Sequence, residues 1–83
     1  MNINKIDDAI LALLYLGHWL EGPDKVARSW KSFDWDAMAR LHEKGLISDP
    51  ARKAKSVTLS EDGLLRAQAA FEKLFGSDIA RKD

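Results

Sequence analysis

The stretch from Arg40 to Gly63, RLHEKGLISDPARKAKSVTLSEDG, constrains this chain more than any other. It begins as a helix and stops at Gly45, because glycine readily takes the left-handed backbone that ends helices. Leu46 and Ile47 then return the chain to an apolar interior. Ile47-Ser48 and Ser56-Val57-Thr58-Leu59 alternate as half-buried strands, with Val57 and Leu59 on one face. Asp49-Pro50 opens the turn between them, and Ala51 to Lys55 forms a small basic loop. Ser60 caps a further helix, and Glu61 and Asp62 suit the positive end of its dipole.

The rest of the chain reads as further helix. Residues 4–20 place Ile6, Ile10, Leu13 and Leu14 on one stripe and Leu11, Tyr15 and Trp19 on a second, with Asn4 as N-cap. Leu20-Glu21-Gly22-Pro23-Asp24 turns the chain. A short helix is predicted from Asp24 to Trp30, with Val26, Ala27 and Trp30 inward. Ser32-Phe33-Asp34 is a turn whose Asp34 caps a helix over 35–44, inward through Ala37, Met38 and Leu41. The last helix takes Leu64, Phe71, Leu74 and Phe75 as its apolar side and closes at Gly76.

Composition bounds what such a chain can be. Eighty-three residues make one modest core. Without cysteine, neither a disulfide framework nor a thiolate metal site is available. The N-terminus carries acids where a signal peptide has basic residues, and the longest apolar run, Ala9 to Leu16, is too short to span a bilayer. The expectation is a cytoplasmic protein with no membrane partner. Formal net charge is zero, yet residues 25–55 carry a net +4 while the flanks are acidic. A local basic excess is the electrostatic footprint of a nucleic-acid contact, and an excess of this size is also what an ordinary solvated surface shows.

The string LHEKGLI, a basic loop and then SVTLSEDG resembles the ending of MarR-like and PadR-like winged-helix proteins: Gly-Leu-Ile, a wing, and a strand running into Leu-Thr-x-x-Gly. Residues 26–47 can be laid over the helix-turn-helix that precedes that ending. The whole chain also resembles a small bacterial family known only as a domain of unknown function. The resemblance implies a fold that is mostly α with a small β-hairpin, a winged helix-turn-helix of four helices and a two-stranded wing. Residues 1–76 would form one domain, and 77–83 a frayed tail.

On that fold the candidate contacts to double-stranded DNA are Lys31, Arg40 and the wing residues Arg52, Lys53 and Lys55, the last three reading equally well as a loop kept charged for solubility. Arg40 alone has the chemistry of a base or phosphate contact on the exposed face of helix 35–44. Asp36 would be repelled by phosphate oxygens, and Trp35 has no regular part in groove readout. Trp35 reads either as a ring folded back over Phe33 or the wing, or as an exposed anchor for a protein partner. Trp19 and Trp30 read as structural. The alternative to DNA binding is therefore a protein-interaction module with no nucleic-acid role. The two-striped first helix and the amphipathic last helix offer surfaces for a homodimer or a larger partner.

Catalysis finds no footing. His18 and His42 lie on separate segments with no acid at ligand spacing, so no metal is expected. No Gly-x-Ser-x-Gly elbow or glycine-rich phosphate loop occurs. Asp7-Asp8 and Glu61-Asp62 read as helix-start acids. Catalytic residues and cofactors are expected to be absent.

Overall fold

The computed structural model describes residues 2–31 and 33–76. Their order is α1 (Ile3–Leu16), β1 (Trp19–Glu21), β2 (Val26–Trp30), α2 (Trp35–Glu43), β3 (Ser56–Thr58) and α3 (Glu61–Phe75). The strands form one antiparallel sheet in the order β1-β2-β3.

This corrects the expected winged helix-turn-helix of four helices and a two-stranded wing. Among the described residues there are three helices and a three-stranded sheet. The segment expected as a short helix, Asp24 to Trp30, contains the central strand instead. Gly22 to Lys25 is a hairpin loop, closed by the Lys25 N–H donating to the Gly22 carbonyl at 3.0 Å. Gly22 and Lys25 both take positive φ, 78° and 54°. The loop sets Glu21 opposite Val26 and Trp19 opposite Arg28. Alternation along β2 then sends Ala27 and Ser29 inward and Val26 and Trp30 outward, as a pleated strand requires. The first helix accordingly ends at Leu16, and Trp19 belongs to the sheet. The expected pairing of Ile47-Ser48 with the later strand survives as a single bridge between Ile47 and Leu59, on the edge away from β2, where the Ser48 N–H donates to the Thr58 carbonyl and the Ser60 N–H to the Leu46 carbonyl, each at 2.9 Å. The expected tail, 77–83, lies outside the described residues.

Local signals elsewhere hold. The Asp34 carboxylate accepts from the Ala37 N–H at 3.0 Å, and Ser60 Oγ accepts from the Gly63 N–H at 3.0 Å. Asn2, rather than Asn4, caps α1 through the Lys5 N–H. Gly45 takes φ 75° just beyond α2, and Ala37, Met38 and Leu41 are that helix's buried face.

The core lies where α1, α3 and the inner face of the sheet meet, built from Leu11, Leu14, Met38, Leu41, Leu46, Val57 and Phe71 among others. The helices α1 and α3 form the most extensive pairing of elements. The second stripe of α1 is spent inside this one chain: Leu11 is buried and Tyr15 packs on Phe71 with ring centroids 5.4 Å apart. Ser29, buried on β2, donates through Oγ to the Leu14 carbonyl at 2.9 Å. That bond ties the sheet to a carbonyl in the last turn of α1, where a helix has no partner of its own.

Candidate functional site

The residues named as DNA contacts fall into two groups. Arg40 turns across to α1, where its Nη2 lies 2.7 Å from Asp7 Oδ1 and its Nε reaches both carboxylate oxygens at 3.0 and 3.1 Å. Lys44 adds a bond to Asp7 Oδ2 at 3.1 Å. Hydrogen bonding from Arg40 holds the buried Asp7 carboxyl below the usual carboxylate range, against the opposing pull of burial and with help from Lys44. The same contact raises Arg40 further above its ordinary value. Asp7 is therefore an internal clamp between α1 and α2 rather than a helix-start acid. Lys31 is likewise committed, since its Nζ donates to the Pro50 carbonyl at 2.7 Å and to the Arg52 carbonyl. It latches the 49–55 loop to the end of β2. Arg52, Lys53 and Lys55 stand exposed on that loop, and among the described residues none of them enters an ion pair.

Trp35 opens α2 with 58% of its surface exposed, so its ring does not close the core. Trp30 is also exposed, at 55%, against the expectation that it is structural. It stands on the outer face of the sheet, its ring 4.9 Å from that of Trp19 at an angle of 44°. The two residues are diagonal neighbours, because Trp19 pairs with Arg28 and Trp30 follows Arg28 by two. Large rings reach across that diagonal.

The outer face thus carries Trp19 and Glu21 from β1, Val26, Arg28 and Trp30 from β2, and Ser56 and Thr58 from β3. Arg28 lies at its centre, donating through Nε to Ser56 Oγ at 3.0 Å and standing 4.0 Å from Glu21 Oε2. Trp19 Nε1 donates to Glu21 Oε1 at 3.1 Å. The tryptophan nitrogen and the charges are thereby held in place, while Trp30 and Val26 present bare apolar surface. Reading the sequence for helices hid this face. Its available signal was the strict alternation Val26, Arg28, Trp30 immediately after a Gly-Pro-Asp turn.

Other constellations offer less. A cleft of about 240 Å³ between α1, the end of α2 and α3 is lined by Asp7, Lys44, Arg66 and Lys73 over Leu11 and Leu46. Two of its cations are already engaged, Lys44 by Asp7 and Arg66 by Asp62 at 3.5 Å. His18 donates from Nδ1 to the Tyr15 carbonyl at 2.5 Å, and His42 from Nδ1 to the Ile47 carbonyl at 3.1 Å. Among the described residues no three His, Asp or Glu side chains gather as metal ligands, and no helix is long and apolar enough to cross a membrane.

Comparison with known proteins gives the chain relatives. It is 49% identical over 72 residues to "Uncharacterized protein y4hR" of Sinorhizobium fredii (strain NBRC 101917 / NGR234), covering 87% of this chain and 90% of that protein. No solved structure matches. Residues 2–77 match the family described as "Domain of unknown function (DUF6429)". With nearly its whole length matched, and a relative of almost the same extent, the chain belongs to the DUF6429 family.

Proposed function

We propose that this chain is a protein-interaction module whose contact surface is the outer face of the three-stranded sheet. The observation that carries the reading is the Trp19–Trp30 pair, with Trp30 more than half exposed beside the central Arg28. Tryptophan and arginine dominate the few side chains that supply most of the free energy of a protein interface. Apolar side chains that are exposed side by side, rather than scattered singly, mark a place where something docks. Trp35, exposed at the start of α2, adds a second anchor of the same kind.

Nucleic-acid binding has less to stand on. Arg40 and Lys31 are engaged within the fold, which leaves three basic side chains on one loop. Duplex of mixed sequence is expected to bind more weakly than about 10⁻⁴ M at physiological salt, outside the usual non-specific range. Micromolar binding that disappears when Arg52, Lys53 and Lys55 are neutralised would return the function to DNA.

The interaction reading is tested by a photo-crosslinking side chain placed at Val26, and separately at Gln68 on the exposed side of α3, in cells producing the protein. Discrete adducts are expected from position 26, and are expected to fall at least about tenfold on adding Trp30→Ala, the loss typical of a hot-spot truncation. Equal yields from the two positions would overturn the reading.

A further inference from the structure

Four side chains on the outer face occupy the corners of a rectangle. The register pairs Trp19 with Arg28 and Glu21 with Val26. Glu21 and Arg28 therefore lie on one diagonal, and Trp19 and Val26 on the other. One diagonal is an opposite-charge pair and the other is apolar.

From this arrangement we infer that the face docks a second copy of this chain about a two-fold axis, an inference that rests on the interaction reading above. When two copies meet face to face, the axis lies in the interface plane. Set perpendicular to the Glu21–Arg28 diagonal through its midpoint, it exchanges the ends of that diagonal. With strands about 4.8 Å apart and a rise of about 3.4 Å per residue, it passes within about 2 Å of Trp19 and Val26. Glu21 of each copy then lies over Arg28 of the other, and Val26 and Trp19 meet their own counterparts. A surface that is complementary to itself in this way is what an isologous dimer needs. Glu21 is the more open of the two charges, its side chain 57% exposed against 24% for Arg28, with one carboxylate oxygen accepting from Trp19 Nε1. The 4.0 Å separation within one chain leaves the acid weakly held by its own arginine. Formal net charge is zero, so no long-range repulsion opposes the encounter. Trp30, beside Trp19, extends the apolar contact.

Sedimentation equilibrium of the full chain tests this against a monomer mass of 9.3 kDa. Wild type is expected to dimerise at micromolar concentration. Glu21→Arg alone and Arg28→Glu alone place like charges opposite one another and are each expected to weaken the dimer at least about tenfold. Mixed in equal amounts, the two variants are expected to form a heterodimer tighter than either homodimer, since the reversed charges then match. Val26→Lys sets a lysine against its own counterpart beside the axis and is expected to leave a folded monomer, checked by circular dichroism. It keeps the test decisive if Arg28→Glu fails to fold.

A wild-type monomer at about 1 mM overturns the inference, and so does self-association that the charge reversals do not move. In either case crosslinks from position 26 to other proteins leave the interaction reading standing. Equal yields from positions 26 and 68 remove both.

Discussion

Gly63→Ala is expected to lower stability by about 3 kcal/mol or more, although on helix propensity alone the change should help. Alanine in place of glycine inside a helix is normally worth about 1 kcal/mol in stability. Gly63 is the third residue of α3, and a Cβ built there would lie 1.9 Å from the Leu46 carbonyl oxygen and 2.8 Å from its carbon. Both atoms are backbone, so no side chain can swing aside. The Leu46 segment cannot easily retreat. Its carbonyl accepts the Ser60 N–H at 2.9 Å, Ser60 Oγ donates to the Gly45 carbonyl at 2.8 Å, and Leu46 and Ile47 are buried. Overpacking a tight site typically costs about 1–3 kcal/mol, and here the obstruction is main chain. For a domain of this size that corresponds to a fall in Tm of roughly 12 °C or more. Thermal unfolding checks it, and a Tm equal to wild type or higher would mean that α3 can shift away from Leu46 without loss.

The glycine that carries this constraint was visible in the sequence as the end of SVTLSEDG, although its reason was not. What the sequence showed well was local chemistry. Asp34 and Ser60 are caps because their oxygens reach an N–H three residues on, and Gly45 ends α2 because of its own backbone freedom. None of this needs a distant partner. The segment from Trp19 to Trp30 misled because Val26, Ala27 and Trp30 satisfy a helical spacing as readily as Val26, Arg28 and Trp30 satisfy a strand. Only pairing with β1 and β3 decides between them. The inner face of α3 was misjudged for another reason. Hydrophobicity favours Leu74 and Phe75, yet the Leu46 backbone covers Gly63, the close packing of α1 on α3 favours the small Ala67 and Ala70 as the buried residues, and those two large side chains are left 48% and 41% exposed. Arg40 looked free because its partner, Asp7, lies 33 residues away on another helix. The candidate contact face was hidden in turn, since it exists only once β2 is recognised as a strand.

Asp7→Asn is the second change expected to be severe, with a loss of about 1.5–3 kcal/mol at neutral pH, the range for hydrogen bonds to a charged group. The Asp7 side chain is 3% exposed and accepts from both Arg40 and Lys44. The amide keeps the shape but gives up the charge, and it turns an N–H₂ group toward two cations. Its dependence on pH separates this electrostatic cause from simple misfit. The Asp7 carboxyl titrates below its ordinary value in the folded chain, with Arg40 the largest cause. The ionised clamp therefore contributes in full above the unfolded aspartate value of about 3.9 and fades as pH falls through the lowered folded value. Urea titrations of wild type and Asp7→Asn should differ most near pH 7 and converge only as the pH falls through the lowered folded value of Asp7. A gap that stays constant through the acid range would assign the loss to packing. Replacing both partners, Asp7→Leu with Arg40→Met, should recover most of the loss, because a buried ion pair exchanged for apolar side chains of similar volume is often neutral. That recovery would show that Arg40 serves the fold as the partner of Asp7, and that the basic charge of α2 is spent inside the molecule.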